Sequence, residues 1–437
     1  MAPGRARTAW DGREPGNHMN LQALDDLVLD ETTKGIPPGV VVRLHDVASK
    51  GWNLLRGHVP LPAAVIKESA LDHNSRWMQR FIAKRNAMIA PHVKTTMCPQ
   101  IMQRQLRDGA WGVTVATLHQ IKVCRRFGID RIVLANQLVG QLELDALVAE
   151  LNASPDLDFY MLVDSLDAVR LASEAVRRAG KKSRPIQVLV ERGYPGGRTG
   201  CRDNETALEV ARAAHATPQL RLCGVEAFEG LIKPKDGGPA QAVAAFVDEI
   251  GALYNACASQ SLFERAPPIV TAGGSSFYDI VLDRLSGSGA QVMTRSGCYV
   301  SHDSGVYQAE QKRILAATGE NEGLINALEV WTHVQSSPEP GLAILTAGKR
   351  DFGTDSGLPV PLLVSRDGDL PQMLTGCEIF ASNDQHAYMR VPETASVKVG
   401  DRIGLGVSHP CTTFDKWQIL FLVNDAYDIV GALKTFF

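Results

Sequence analysis

The sequence has 437 residues, of which 45% are hydrophobic and 21% are charged, so it can bury a large core and is not globally disordered. The formal net charge is −3 and Lys and Arg form no long run, which argues against a nucleic acid or an anionic membrane as a partner. Eight cysteines are scattered without CxxC spacing, and no apolar stretch is long enough to cross a bilayer, so we expect a cytoplasmic protein with reduced thiols.

The N-terminal region contains three different patterns. Residues 1–19 carry arginines but lack the apolar block of a secretory signal, and we expect a flexible leader. Residues 62–66 form a strand-like run, and an amphipathic helix is predicted over about 69–85. Residues 20–59 are expected to pack with the C-terminal part of the chain.

From about residue 86 to residue 296, short apolar runs alternate with helical stretches. Each run is almost continuously apolar, as expected for a strand that is buried on both faces. Eight such strands with helical crossovers predict a (β/α)8 barrel within residues 60–315, and a doubly wound open sheet is the structural alternative. The predicted strands are residues 87–91, 113–116, 132–135, 159–163, 186–191, 223–228, 269–272 and 292–294. The predicted helices include residues 118–127, 166–179, 205–215 and 240–258.

The C-terminal region has a different pattern. Between residues 330 and 437, β-rich runs are separated by Gly and Pro turns, with little helical periodicity. Residues 316–437, together with residues 20–59, are therefore predicted to form a second, mainly β domain.

Lys94 directly follows the first predicted barrel strand, in Pro91-His92-Val93-Lys94-Thr95. In a β/α barrel the reactive groups lie at the C-terminal ends of the strands. A lysine in such a place is commonly a solvated loop residue. The alternative is a lysine that forms an imine with the aldehyde of a bound cofactor, which requires a phosphate site nearby.

Two segments offer such a phosphate site. Gly273, Gly274 and Ser275 follow the seventh strand and precede a helix, so they supply flexible backbone, a hydroxyl group and a helix N-terminus. Gly297 and Cys298 follow the eighth strand and supply further amides. Phosphate sites after strands seven and eight recur in this fold, and together with Lys94 they indicate pyridoxal 5'-phosphate (PLP).

Arg198 lies in a glycine-rich loop over residues 191–200, after the fifth strand. Without a ligand this would be an ordinary surface loop. In a cofactor site, Arg198 could point at the ring nitrogen, where its charge would disfavour ring protonation and limit the delocalisation of a carbanion.

His409 and Cys411 form a His-x-Cys pair in the C-terminal region, and His386 precedes them. Imidazole and thiolate are suitable ligands for Zn²⁺, and two protein ligands leave positions open for water or substrate, as in catalytic zinc sites. On spacing alone, such a pair is more often a coincidence, and an isolated histidine such as His386 is more often a surface residue.

Asp164, Glu226 and Glu229 are candidates for acid–base hydrolysis, but hydrogen bonding that holds the barrel rim together is the interpretation we favour. The sequence contains no G-x-S-x-G motif and no Walker-type loop.

Taken together, these motifs resemble the D-threonine aldolase and D-serine dehydratase family, which belongs to the alanine-racemase-like PLP enzymes of fold type III. The resemblance covers roughly residues 60–437, in the same order along the chain. It implies a PLP barrel, a β domain, a divalent metal beside the cofactor, and a homodimer with the active site near the subunit interface. The motifs are Pro91-His-Val-Lys-Thr95, Gly112-Val-Thr-Val-Ala-Thr117, Leu134-Ala-Asn136, Gly197-Arg-Thr-Gly200, Thr271-Ala-Gly-Gly274, Gly297-Cys-Tyr299 and His409-Pro-Cys411.

The resemblance also implies roles for individual residues. Lys94 corresponds to the lysine that holds PLP and acts as catalytic base, and His386 is a second catalytic candidate. Arg198 corresponds to the partner of the ring nitrogen. The metal ligands correspond to His409 and Cys411. The predicted cofactor-binding residues are Lys94, Arg198, Gly273, Gly274, Ser275, Gly297, Cys298 and Tyr299.

In this family the aldolases tend to carry His-x-Asp and the dehydratases His-x-Cys, so Cys411 favours elimination of water. The predicted reaction converts a β-hydroxy D-amino acid such as D-serine or D-threonine to a 2-keto acid and ammonia. Two departures leave the role of His386 and the substrate open: Asp384-Gln385 replaces the usual acidic pair, and Cys298 replaces the usual serine before Tyr299.

Three other functions are weighed against a dehydratase. A D-threonine-type aldolase, releasing glycine and an aldehyde, would use the same residues. A racemase fits less well because it needs a second base and no metal. A PLP-binding regulatory protein without turnover is the alternative from another class. Zinc suits the His/Cys pair best, although manganese or magnesium would also be compatible with the resemblance.

Overall fold

The computed structural model describes residues 19–233 and 238–437. The predicted leader, residues 1–19, lies outside the described residues except for Met19. The strands in chain order are β1 (Val28–Leu29), β2 (Val42–Arg43), β3 (Ala63–Lys67), β4 (Met88–Ile89), β5 (Val113–Val115), β6 (Arg131–Leu134), β7 (Asp158–Val163), β8 (Ile186–Arg192), β9 (Leu220–Ala227), β10 (Ile269–Thr271), β11 (Gln291–Thr294), β12 (Leu328–Glu339), β13 (Leu342–Leu345), β14 (Val360–Ser365), β15 (Gln372–Met373), β16 (Glu378–Ser382), β17 (Ala387–Arg390), β18 (Arg402–Gly406), β19 (Ile419–Val423) and β20 (Ile429–Lys434).

The α-helices are α1 (Gln22–Asp25), α2 (Glu68–Ala83), α3 (Pro99–Arg107), α4 (Leu118–Arg126), α5 (Gln141–Ala153), α6 (Leu166–Ala179), α7 (Asn204–His215), α8 (Pro239–Ser259), α9 (Tyr278–Leu285), α10 (Val306–Thr318) and α11 (Cys411–Phe414). Short 3-10 helices span Leu44–Lys50, Val93–Thr95 and Cys298–Val300. None of the helices in the described part of the chain has the length and apolarity of a membrane-spanning segment.

Strands β4 to β11 form one parallel sheet, in the order β4-β11-β10-β9-β8-β7-β6-β5. Its two ends meet, because the Trp111 amide donates a hydrogen bond to the Ile89 carbonyl (2.9 Å) and the Thr114 amide donates to the Pro91 carbonyl (2.8 Å). The sheet is therefore closed, which confirms the predicted barrel and excludes the doubly wound alternative.

The barrel interior is filled by apolar side chains, so it is a packed core and not a channel. They form a cluster that is separate from the main hydrophobic core and draws on most of the barrel strands. Its buried members are Ala90, Trp111, Val133, Tyr160, Leu162, Leu189, Cys223, Ile269 and Met293.

Side-chain caps fix the points at which several barrel helices begin. Thr117 accepts a hydrogen bond from the Gln120 amide (3.3 Å), and Ser165 accepts one from the Ala168 amide (3.1 Å). Such caps satisfy amides that the first helical turn leaves unpaired. Since α4 and α6 begin within three residues of the ends of β5 and β7, the caps hold short connections at the rim where functional side chains gather.

The second sheet is mainly antiparallel, with the path β15-β14-β18-β12-β13-β17-β16. Strand β3 pairs antiparallel with β12 and parallel with β19, and β19 pairs with β20. Residues 63–67 therefore lie in the antiparallel sheet, although the sequence pattern grouped them with the barrel range 60–315. Pairing between distant strands is not encoded in a local apolar run, which explains the difference.

Residues 53 and 54, which precede β3, are hydrogen-bonded to the C-terminal part of the chain. The Leu54 amide donates to the Tyr427 carbonyl (3.0 Å), and the Asn53 side chain donates to the Asp428 carboxylate (2.9 Å). Helix α11 packs against the Val93–Thr95 turn, which brings the C-terminal domain to the rim of the barrel.

Candidate active site

Lys94 lies on the Val93–Thr95 turn, immediately after β4. The residue as a whole is exposed, and no residue in the described part of the chain forms a hydrogen bond or ion pair with its amine. Partial burial of the amine nevertheless lowers the pKa of Lys94, and the positive charges of Arg198 and Arg295 act in the same direction. The thiols of Cys411 and Cys298 oppose this shift without cancelling it. A lower pKa increases the neutral, nucleophilic fraction of the amine.

His92 lies beside Lys94, and sequence analysis did not single it out. Burial holds the pKa of His92 well below its usual range, and Lys94 and Arg295 add to the effect. Its Nδ1 atom is buried and has no hydrogen-bond partner among residues 19–233 and 238–437. The imidazole is therefore neutral, and it adds no positive charge next to the Lys94 amine.

Arg295 and Glu226 form a buried ion pair below the rim of the barrel. Arg295 also donates to the Thr271 hydroxyl (2.7 Å) and to the Ala227 carbonyl (2.9 Å). Burial raises the pKa of Glu226 to about 8, although the arginine opposes this shift. These contacts join β9, β10 and β11, so Glu226 holds the barrel rim together, in line with the interpretation favoured from the sequence.

Glu229 binds the two amides that were predicted to hold phosphate. Its carboxylate accepts hydrogen bonds from the amides of Gly273 (3.0 Å) and Gly274 (2.9 Å). These two amides are thus already satisfied by the protein. These hydrogen bonds depend on where Glu229 lies in the folded protein, and the local Gly-Gly pattern does not predict them.

Other backbone amides remain available around the same loops. Those of Ser275, Ser276 and Gly297 have no hydrogen-bond acceptor among the described residues. They lie just before α9 and after β11, and the Ser275 hydroxyl accepts a hydrogen bond from the Cys298 amide (3.3 Å), which joins the two loops. Unpaired amides beside a helix N-terminus suit a phosphate group. The residues therefore fit PLP, with the phosphate donors shifted toward Ser275 and Ser276.

Gly297 is required by close packing. A Cβ atom at this position would lie 2.4 Å from the His92 carbonyl oxygen and 2.7 Å from the Thr95 hydroxyl. We expect Gly297→Ala to lower the free energy of unfolding by about 1–3 kcal/mol, because the Lys94 turn would have to move. Denaturant unfolding measures the change. Gly238→Ala is the control, since a Cβ atom there meets nothing within 4 Å; equal effects of the two variants would contradict the prediction.

Arg198 lies in the loop after β8, at the same rim as Lys94. Its guanidinium lies 4.4 Å from the centre of the Phe228 ring. The loop is held in place by hydrogen bonds from the Gly200 amide to Asp164 (3.0 Å) and from the Thr199 hydroxyl to Glu191 (2.8 Å). Asp164 thus serves as a structural acceptor, and the exposed Arg198 side chain contributes positive potential at Lys94.

Cys298, His409 and Cys411 form a cluster beside the Lys94 turn, hereafter the thiol–imidazole cluster. One ligand atom from each residue lies within 4.8 Å of the others, and the two Sγ atoms are 3.5 Å apart. The Thr95 hydroxyl lies 3.3 Å from the Cys411 Sγ, so the cluster contacts the residue that directly follows Lys94. The donor set of two sulfurs and one imidazole suits zinc.

Asp355 orients His409 within this cluster. Its carboxylate forms a hydrogen bond with Nδ1 of the imidazole at 2.7 Å, which leaves the other ring nitrogen for a metal. Burial acts to lower the pKa of His409, but hydrogen bonding with Cys298 and Asp355 raises it to about 9. Asp355 lies 54 residues from His409 and belongs to no motif, so its role is not visible in the sequence.

Two predicted site residues lie elsewhere. The side chain of Tyr299 is 1% exposed and packs in the main hydrophobic core. His386 is exposed in the turn between β16 and β17, and no hydrogen bond links its side chain to Lys94 or to the thiol–imidazole cluster within the described chain. The catalytic role of His386 therefore remains a prediction without a supporting contact.

Two family models match the chain. The model described as "Alanine racemase, N-terminal domain" matches residues 66–272, and the one described as "Putative serine dehydratase domain" matches residues 327–423. Both matched domains are those that the resemblance to the D-threonine aldolase and D-serine dehydratase family implies. This confirms the resemblance found in the sequence, and members of the alanine-racemase-like fold family depend on PLP.

Individual relatives match over nearly their whole length. The D-threonine aldolase of Arthrobacter sp is 27% identical over 371 residues, which are 84% of this chain and 90% of that enzyme. The D-threo-3-hydroxyaspartate dehydratase of Delftia sp. (strain HT23) is 25% identical over 375 residues, 82% of this chain and 93% of the relative. The crystal structure of D-threonine aldolase from Filomicrobium marinum superposes with a TM-score of 0.73 at 24% identity, covering 88% of this chain and 97% of the other, which supports the shared fold.

Proposed function

We propose that this protein is a PLP- and divalent-metal-dependent dehydratase that converts a β-hydroxy D-amino acid, such as D-serine or D-threonine, to a 2-keto acid and ammonia. The observation that carries the proposal is the thiol–imidazole cluster next to Lys94, with the Thr95 hydroxyl 3.3 Å from the Cys411 Sγ. A basic amine and a metal-binding donor set thus meet at one rim of a barrel whose fold family uses PLP.

Lys94 would hold the cofactor and then act as the base. Its amine has no competing hydrogen-bond partner in the described chain, and its pKa is lowered by burial. Ser275, Ser276 and Gly297 would bind the cofactor phosphate through their free amides, and Arg198 would face the ring nitrogen. When bound, PLP supplies an electron sink for the α-carbon of the amino acid. The Lys94 amine would also accept the α-proton of the substrate as the catalytic base.

Arg198 determines how much help the leaving hydroxyl group needs. A guanidinium stays protonated, so it cannot give a proton to the ring nitrogen and keeps the electron sink weak. His409 and Cys411 would hold the metal, and the metal supplies Lewis-acid assistance at the substrate hydroxyl, worth several kcal/mol. Because the electron sink is weak, elimination of water would depend on the metal that His409 and Cys411 hold.

The decisive experiment measures products from the purified protein, loaded with PLP and with Zn²⁺ or Mn²⁺. D-serine, D-threonine and D-threo-3-hydroxyaspartate are incubated with the enzyme, and the L-enantiomers are the controls. Keto acid and ammonia in equal amounts support the dehydratase. Glycine and an aldehyde would support the aldolase, a function favoured by the aldolase relatives. No turnover with either metal would support the non-catalytic, regulatory alternative.

We also propose that Arg198 keeps the pKa of Lys94 low. Positive charge near an amine disfavours its protonated form, so Arg198→Gln is expected to raise the pKa of Lys94. The amine is then neutral only at higher pH, and the pH profile for the rate of PLP attachment to the apoprotein should shift upward. Stopped-flow absorbance across a pH series measures this shift. Arg177→Gln at an exposed position of helix α6 is the control, and coincident profiles for Arg198→Gln and wild type would contradict the prediction.

The family resemblance further leads us to propose a homodimer in the cytoplasm, with no nucleic-acid or membrane partner. The eight cysteines, all in the described part of the chain and none of them disulfide-bonded, fit a reducing compartment. Analytical ultracentrifugation of the holoenzyme at several concentrations tests the oligomeric state.

A further inference from the structure

Cys298 is the member of the thiol–imidazole cluster that the His-x-Cys pattern does not contain. We infer that Cys298 is a third protein ligand of the metal, which makes the site a zinc site with two thiolates and one imidazole. This inference rests on the proposed metal dependence and adds a ligand and a metal identity to it.

The distances between the donor atoms support three ligands. Two thiolates bound about 2.3 Å from one tetrahedral zinc ion lie about 3.8 Å apart. The Sγ atoms of Cys298 and Cys411 are 3.5 Å apart, and a nitrogen of His409 lies within 4.8 Å of both. A disulfide, in contrast, needs sulfurs about 2.05 Å apart. The pair is thus spaced for a shared ion and not for a covalent bond.

The local structure directs the Cys298 thiol into the cluster. The residue is 4% exposed and begins the Cys298–Val300 turn, and its amide is held by the Ser275 hydroxyl at 3.3 Å. Its Sγ lies 3.8 Å from the Thr95 hydroxyl, which also lies near Cys411. Cys298 therefore connects the phosphate loops with the metal ligands, and its thiol has the other two donors as neighbours.

The third ligand has two chemical consequences. Two thiolates balance the charge of Zn²⁺, and three protein ligands leave one tetrahedral position for water or for the substrate hydroxyl, as in catalytic zinc sites. A site with two soft thiolates also disfavours Mn²⁺ and Mg²⁺, which prefer oxygen ligands. The sequence alone left these metals open.

The test is X-ray absorption at the zinc edge on the PLP- and zinc-loaded enzyme, prepared with reductant. Wild type is expected to have two sulfur neighbours per zinc, and Cys298→Ala and Cys298→Ser one. Competition with a chromogenic chelator should give a zinc affinity that is lower by at least about 100-fold in both variants, because even residues that only orient a ligand contribute 10- to 100-fold. Cys257→Ala, which removes a buried thiol on α8, should keep both properties of wild type.

The outcomes separate this inference from the proposed function. One sulfur neighbour in wild type, unchanged in Cys298→Ala, would overturn the third ligand and leave the His409–Cys411 site intact. No zinc bound by wild type would overturn the whole zinc site, including the third ligand, and turnover that then requires Mn²⁺ would leave the proposed metal dependence standing. A mass lower by two hydrogen atoms, with Cys298 and Cys411 linked by an air-formed disulfide that persists in the reductant-treated protein, would show a redox pair in place of a metal site and also overturn the inference.

Discussion

Replacement of Lys94 by alanine is expected to abolish covalent attachment of PLP and to lower kcat/KM by about 10³-fold or more. The Lys94 amine is the candidate for both the attachment point and the base, and a positioned base alone contributes about 10²–10⁴-fold. Lys94→Arg should fail in the same way, because a guanidinium stays protonated and cannot attack an aldehyde. The loss of yellow absorbance after dialysis and the rate of keto-acid formation measure the two effects.

The control for this prediction is Lys181→Ala, which removes an exposed lysine after α6 and should retain both absorbance and activity. Borohydride reduction of the wild-type holoenzyme, followed by peptide mapping, should place the label on Lys94. A label on a different lysine, or a Lys94→Ala variant that keeps its yellow colour through dialysis, would show that another amine holds the cofactor.

The barrel could be predicted from sequence because its strands are buried on both faces. The run predicted at residues 159–163 corresponds to strand Asp158–Val163, and the run at 269–272 corresponds to Ile269–Thr271. Burial on both sides demands continuous apolar sequence, and this signal is local. The sheet to which β3 belongs could not be predicted from the local sequence, because its partners β12 and β19 lie more than 250 residues away along the chain.

The candidate site was predictable to the extent that each group belongs to a short motif. The His409–Cys411 pair lies next to Lys94 through tertiary contacts, such as that between Thr95 and Cys411. The motifs alone do not predict these contacts. The partners of buried amides depend on tertiary structure, and Glu229 takes the amides of Gly273 and Gly274. Cys298 was noticed as a departure from the family pattern, but only its distance to Cys411 indicates what the departure means.

Removal of the metal ligands is the second change with a large expected effect. His409→Ala and Cys411→Ala should each lose the bound metal and lower the rate of elimination by about 10³-fold, since Lewis-acid assistance at the leaving hydroxyl is worth several kcal/mol and each 1.36 kcal/mol is tenfold in rate. PLP should remain attached, because Lys94 and the free amides of Ser275 and Gly297 are unchanged. Metal analysis, visible absorbance and keto-acid formation are measured on the same preparations.

This combination of results distinguishes loss of the metal from loss of the fold. Cys377→Ala removes a half-buried thiol outside the thiol–imidazole cluster and should behave as wild type in all three measurements. Treatment of wild type with a chelator should reproduce the slow rate, and added Zn²⁺ should restore it in wild type but not in His409→Ala. If both variants lack metal and yet eliminate water at the wild-type rate, the leaving hydroxyl is assisted by a protein group instead. The neutral His92 imidazole beside Lys94 would then be the first residue to examine, because its buried Nδ1 has no partner in the described structure.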